Sequence, residues 1–275
     1  MILRLWRTAY ASAVGTSHAR SGTPCQDAGR CDVVKAIDGS EILIASVSDG
    51  AGSASQSGYG ARLAVDAFQQ TFSDLACKEP DLGFLQEDRA RMWLAHVQKT
   101  IASTAEENGF QSRDYACTFL GAVVGPTVAA FLQIGDGAIV IADTEDGNDG
   151  HTWVAWPQHG EFANSTFFIT MEDASQIMEF NRRVASDERS AVRELVIFSD
   201  GLERLILDMR GRTVHSPSLR PILNWLAGTE HASNGLPSDI LAAYLNSPIV
   251  NRRTDDDKTL VAATRVAPAL PNAAP

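Results

Sequence analysis

Two spacings of apolar residues alternate along the chain. Residues 1–16 predict a strand, or two joined by a bend, with Leu3, Leu5, Ala9 and Val14 on its apolar side and a break at Gly15. A polar Gly/Pro loop follows over 16–27. The next clear strand is 41–48, an apolar run too continuous for an edge strand with one wet face, so it belongs in a sheet covered on both sides. From Ser57 to about Cys77 the spacing becomes helical, with Leu63, Ala67, Phe68, Phe72 and Leu75 on one stripe. It is helical again over 87–107, where Trp93, Val97 and Ile101 stand four apart, Met92 widens the stripe, and Asn108-Gly109 makes a left-handed cap. Two helices in succession between strand regions fit an antiparallel sheet with a helical cover rather than a βαβ repeat.

Strands return at 115–124, 127–134 and 138–142, parted by Gly125-Pro126 and Gly135-Asp136-Gly137, and this spacing predicts a meander. After a polar loop at 143–150, short strands are expected at 152–156 and 166–169. Residues 171–190 are polar and read as a flap or an irregular crossing. A buried strand over 191–198 stops at Ser199-Asp200-Gly201, with a short helix expected through Leu207. Helices are predicted over 218–226, with Pro221 in the first turn, and over 238–245, with Pro237 just ahead. A charged loop over 252–257 leads to a closing strand at 258–263. With no linker composition and no internal repeat, residues 1–266 read as one domain, followed by a Pro/Ala tail at 267–275.

Composition narrows the class. A chain of 275 residues can bury a full core without disulfides or a structural metal. With 44% hydrophobic and 21% charged residues it is globular, which excludes disordered, collagenous and coiled-coil readings. A formal charge of −11 argues against a nucleic-acid or anionic-membrane binder. The four cysteines form no CxxC and no zinc-finger spacing, so a reduced, cytoplasmic protein is expected. Arg4 and Arg7 interrupt the apolar N-terminal run, which therefore lacks a signal-peptide core. No run of about 18 apolar residues predicts a membrane span. No coiled-coil seam is present, so a monomer is expected.

Three aspartates share one kind of setting. Asp49 ends the run 42–47 and precedes a Gly-rich turn, Asp200 ends the run 195–198 and precedes Gly201, and Asp256 lies just before Thr259-Leu260-Val261. Adjacent antiparallel strands bring starts and ends to one sheet edge, where gathered carboxylates repel each other unless countered. Hard oxygen ligands of this kind suit Mg²⁺ or Mn²⁺, and Gly50 lets its carbonyl approach as a further ligand. Asp-Gly after a strand is also a common turn. Pattern alone leaves an Asp-rich nuclease or a glycosidase open.

In order along the chain stand Gly22-Thr23-Pro24-Cys25-Gln26-Asp27-Ala28, Val47-Ser48-Asp49-Gly50-Ala51-Gly52, Gly135-Asp136-Gly137, Phe198-Ser199-Asp200-Gly201-Leu202-Glu203 and Asp256-Asp257-Lys258-Thr259-Leu260. This series resembles the metal-dependent protein phosphatases of the 2C (PPM) family, in their bacterial form, and residues 160–166 resemble a bacterial subgroup. The resemblance spans about residues 10–265. It implies an α+β fold, a four-layer α-β-β-α sandwich of two antiparallel sheets flanked by helices. It further implies hydrolysis of phosphoserine or phosphothreonine in a protein substrate, one modified by a serine/threonine kinase, through water activated at two Mg²⁺ or Mn²⁺ ions. On this resemblance Asp49 bridges both ions, the Gly50 carbonyl serves one of them, and Asp200 and Asp256 hold the other. Asp27 acts through water on the metal, and Asp136 matches an aspartate associated with a weaker third ion.

The series departs from the family in several places. Gln26 replaces a glutamate and removes one charge from the second ion's surroundings. Ala51 replaces the histidine of many eukaryotic members. Arg204, with Glu203 beside it, stands where an acidic residue is common, which argues against a third ion held in the usual way. The usual phosphate-binding arginine is displaced, leaving His18 and Arg20 as candidates for contact with the phosphate or the leaving group. Asp257 reads as an outer or structural partner, His159 as a surface or turn residue. Two other readings stay open: a phosphatase of small phosphoesters using the same site, and a degenerate binding or regulatory module.

Overall fold

The computed structural model describes residues 5–143, 150–159, 166–187, 190–229 and 236–266. In chain order its elements are β1 (Leu5–Ala13), α1 (Thr16–Ser21), β2 (Ala28–Lys35), β3 (Glu41–Ser48), α2 (Ser57–Lys78) and α3 (Glu87–Glu107). Then come β4 (Phe119–Val124), β5 (Val128–Ile134), β6 (Ala138–Asp143), β7 (Thr152–Ala155), α4 (Ala174–Ile177), β8 (Glu179–Val184) and β9 (Val192–Phe198). The last are α5 (Glu203–Ile206), β10 (Leu207–Asp208), β11 (Thr213–Val214), α6 (Ser216–Gly228), α7 (Leu236–Leu245), α8 (Pro248–Asn251) and β12 (Lys258–Val266).

Two five-stranded antiparallel sheets result, in the orders β1-β12-β9-β6-β7 and β2-β3-β4-β5-β8. Side chains alternate across each strand, as a period of two requires. On β3, Leu43, Ala45 and Val47 enter the core between the sheets, while Ile42 and Ile44 face the layer of α2 and α3. On β9, Leu195 and Ile197 point between the sheets, and Val196 and Phe198 point to the layer of α6 and α7. Both faces of each central strand are therefore dry, which is why 42–47 reads as a nearly continuous apolar run. The outer layer on one side centres on Phe68, Trp93 and Phe119, with the Trp93 and Phe119 ring centroids 4.3 Å apart. These layers form the four-layer α-β-β-α sandwich. Among the described residues no helix is long and apolar enough to cross a membrane.

Several expectations are corrected. Strand β2 lies where the apolar pattern predicts no clear strand, because Gly29, Arg30 and Asp32 break it. The loop over 16–27 contains α1, closed by Gly22 at a φ of 75°. The expected meander is not one: β4 and β5 pair, but β6 crosses to the other sheet at Gly135-Asp136-Gly137 and pairs with β9. Described residues 166–169 form no strand, while 171–190 contains α4 and the edge strand β8. The segment 160–165 and the tail 267–275 lie outside the described residues.

Candidate functional site

One end of the sandwich collects the end of β3, the end of β9, the start of β12, the start of β2 and the β5–β6 crossing. Each brings an acidic side chain, and local bonding holds each in place. After β3 the backbone of Asp49 is locked to Thr118, donating N–H to Oγ1 at 3.0 Å and accepting the Thr118 N–H at 2.8 Å. Asp27 stands before β2, whose Ala28 pairs with Ser48, so the antiparallel register sets Asp27 beside the end of β3. Ser199, just before Asp200, accepts the Thr259 N–H on its hydroxyl at 2.9 Å and thereby ties the end of β9 to the start of β12. Asp136 sits on the crossing, where Gly135 adopts a φ of 110°. The buried Gln133 amide donates to the carbonyls of Gly135, Gly137 and Trp156 at 2.7–3.1 Å and fixes that turn.

These ends surround a cleft of about 400 Å³ lined by His18, Asp49, Gly50, Thr118, Asp136 and Asp200, with Asp256 and Asp257 beside them. Gly50 is required there: a Cβ would meet the Gln26 carbonyl oxygen at 2.7 Å.

The electrostatics are those of crowded acids. Burial first, then the charge of Asp257, raises Asp27 to about 7 against the pull of the Ser199 and Thr259 bonds. Burial and the charges of Asp27 and Asp200 hold Asp49 well above the ordinary range. Burial and Asp136 raise Asp200 to about 6. Asp136 is raised as well, mainly by burial, with the Thr166 hydroxyl and His159 acting the other way. Asp27 Oδ1 and Asp200 Oδ1 are buried with no hydrogen-bond donor. Unpartnered buried carboxylate oxygens are costly, and a divalent cation with hard-oxygen preference offsets that cost. The donor set therefore fits Mg²⁺ or Mn²⁺. The side chains do not close into a tight cage: among the described residues no three His, Cys, Asp or Glu groups stand in ready ligating geometry.

Of the residues singled out from the sequence, Asp49, Gly50, Asp136, Asp200, Asp256 and His18 share the cleft wall. Asp27 lies behind it, within the electrostatic reach of Asp49. Arg20 does not join them. It is exposed and turns back on its own helix, with Nε donating to the Thr16 carbonyl at 3.0 Å. His159 is exposed. Gln26 contributes its backbone, donating N–H to Asp257 Oδ2 at 2.6 Å, while its Oε1 is buried without a partner.

Sequence reasoning missed three supports. Thr118 and Ser199 lock the turns that carry Asp49 and Asp200, and a lone Thr or Ser carries no signal for that. Glu203 is the third. Burial and the charges of Asp200 and Asp136 raise it to about 8, and its Oε1 is buried without a donor. Its place three residues after Asp200, on the first turn of α5, was the available clue. Arg204 next to it is exposed.

Comparison with known proteins agrees with this geometry. The family described as Protein phosphatase 2C matches residues 14–245. Serine/threonine-protein phosphatase 3 of Escherichia coli (strain K12) is 38% identical over 258 residues, covering 94% of this chain and 98% of the relative. The fold is shared with the catalytic domain of the serine/threonine protein phosphatase PstP in complex with two manganese ions, at a TM-score of 0.61 and 16% identity over 96% of this chain and 99% of that one. Serine/threonine phosphatase Stp1 from Staphylococcus aureus shares it at a TM-score of 0.59 and 13% identity, over 94% and 95%.

Proposed function

The chain belongs to the protein phosphatase 2C family, and from that premise we propose that it is a metal-dependent phosphatase of phosphoserine and phosphothreonine in proteins. The proposal takes residues 1–266 as one phosphatase domain, working as a monomer in the cytoplasm on a phosphoprotein marked by a serine/threonine kinase. One observation carries the chemistry: acidic side chains from four strand ends and turns face one cleft with Asp27 behind it, and the buried Oδ1 atoms of Asp27 and Asp200 lack any donor. In this reading Asp49 with the Gly50 carbonyl, together with Asp200 and Asp256, hold two Mg²⁺ or Mn²⁺ ions. Asp27 supports them from behind, and Asp136 with Glu203 borders the site.

When bound, the cations supply Lewis-acid charge that acidifies water and offsets the negative phosphoryl group. The chain's own residues do the rest. Thr118 and Ser199 keep the Asp49 and Asp200 turns from relaxing apart, so ligand geometry does not reorganise as substrate arrives. The cysteines offer no Cys-x5-Arg loop, so no covalent phosphoenzyme is invoked.

The test is phosphate release from a phosphothreonine peptide by metal-free protein titrated with Mn²⁺ or Mg²⁺, alongside Asp49→Asn and Asp200→Asn. Metal-dependent turnover lost in both variants supports the proposal. No turnover with either metal, on the peptide or on an aryl phosphate, overturns it in favour of a binding module.

A further inference from the structure

Building on that phosphatase reading, we propose that Asp257 and His18 act as a pair. Asp257 positions the His18 ring, and His18 Nε2 donates the proton taken up by the leaving seryl or threonyl oxygen.

Asp257 is buried and accepts two backbone hydrogen bonds, while His18 Nδ1 faces it at ion-pair distance without hydrogen-bond alignment. Its Oδ1 accepts the Gly15 N–H at 2.6 Å, its Oδ2 accepts the Gln26 N–H at 2.6 Å, and His18 Nδ1 stands 3.0 Å from Oδ2. Gly15 and Gln26 bracket the segment that carries His18, so one side chain clamps both ends of it and the ring between them. With Nδ1 turned inward to Asp257, Nε2 lies on the opposite edge of the imidazole. It makes no hydrogen bond to the described residues. Among the described residues lining the cleft, His18 is the one that bears a basic nitrogen; the others are carboxylates, hydroxyls, small residues and Phe168. Ala51 provides none, and Arg20 is turned away.

An alkoxide is a poor leaving group unless a positioned acid protonates it, which is the task general acids perform. As the water oxygen bonds to phosphorus and the ester oxygen–phosphorus bond breaks, the Nε2 proton passes to the ester oxygen. The proton released by the attacking water returns to His18 through solvent. The products are the free alcohol and inorganic phosphate. Asp257 touches neither substrate nor phosphorus; it acts through the ring, as outer carboxylates do for other histidines.

The test uses the full chain with Mn²⁺ on a phosphothreonine peptide, on phenyl phosphate and on 2,4-dinitrophenyl phosphate, whose leaving group departs without a proton. His18→Ala and His18→Gln are expected to lower kcat about 100-fold on the first two and less than about 3-fold on the third, with KM nearly unchanged. Asp257→Asn should reproduce that ordering with a smaller loss, and added imidazole should partly restore His18→Ala. Equal losses on all three esters, a loss confined to KM, or no loss would each overturn the proton-donor role. Nitrogen-15 NMR of the metal-free protein reads the pairing directly. A proton on His18 Nδ1, displaced in Asp257→Asn and identified by its absence in His18→Gln, supports it; a neutral ring protonated only on Nε2 overturns it. Should Asp257→Asn fail to fold, the His18 variants alone decide. A wild type without turnover on any ester would overturn the phosphatase reading and this proposal with it, whereas an active wild type indifferent to His18 overturns this proposal alone.

Discussion

The Ser199 hydroxyl donates to Asp27 Oδ2 at 2.7 Å while its oxygen accepts the Thr259 N–H at 2.9 Å. Asp27 precedes a strand of one sheet, and Ser199 follows a strand of the other. This single hydroxyl thus joins the two sheets directly behind the acidic cleft. Ser199→Ala leaves a buried carboxylate oxygen and a backbone N–H without partners, so stability should fall by about 1–3 kcal/mol in urea unfolding. Loss of an outer partner to a ligand should also weaken Mn²⁺ binding roughly 10-fold, measured by calorimetric titration. Unchanged values in both would mean that the bond does not form.

The acids predict an unusual pH dependence for the metal-free protein. Asp27 is raised to about 7, Asp200 to about 6 and Glu203 to about 8, all above the values of an unfolded chain. The folded state therefore keeps protons that the unfolded state has already released, and stability falls as pH rises. That contribution is complete below about pH 4 and is lost as pH passes through about 6 to 8. Thermal unfolding should show Tm dropping across this window, with saturating Mg²⁺ flattening the slope. A Tm that rises with pH in the absence of metal would contradict the crowding of these groups.

Asp49→Asn should separate stability from activity. It removes a charge that burial, Asp27 and Asp200 all oppose, so the metal-free variant should melt higher than the wild type. Turnover with saturating Mn²⁺ should fall by roughly 1,000-fold or more, beyond the loss expected for an outer partner. A variant both less stable and fully active would show that Asp49 is a turn residue only.

Two glycines make a matched pair. A Cβ on Gly201 would meet the Asp257 carbonyl oxygen at 2.0 Å, forcing apart the turn that holds Asp200 and the loop that holds Asp256. Gly201→Ala should cost about 1–3 kcal/mol, as overpacking does, and lower phosphatase activity. Gly52 has nothing within 4 Å of the same added atom, so Gly52→Ala should keep both stability and turnover. Equal effects would mean that the close approach at Gly201 relaxes freely.

Much of this molecule was legible in the order of its residues. The apolar runs at 42–47 and 195–198, the helical stripes through Phe68 and Trp93, and the Asp-Gly pairs that end two of the strands are all local patterns. Each depends only on neighbours within a few positions, because periodicity records which faces of an element are dry. A strand such as β2, wet and broken by Gly29, Arg30 and Asp32, leaves no such record. Nor does the passage of β6 to the opposite sheet, since a three-residue turn at Asp136 looks the same whether the chain folds back or crosses over. The sequence by itself determined which residues carry charge and which strands they end. Tertiary structure alone decided that Ser199 reaches Asp27 from 172 positions away, that Asp257 clamps the segment bearing His18, and that Arg20 turns from the cleft. Those relationships are set by antiparallel register and by the packing of two sheets. Both join residues far apart in sequence, where no short-range pattern can report them.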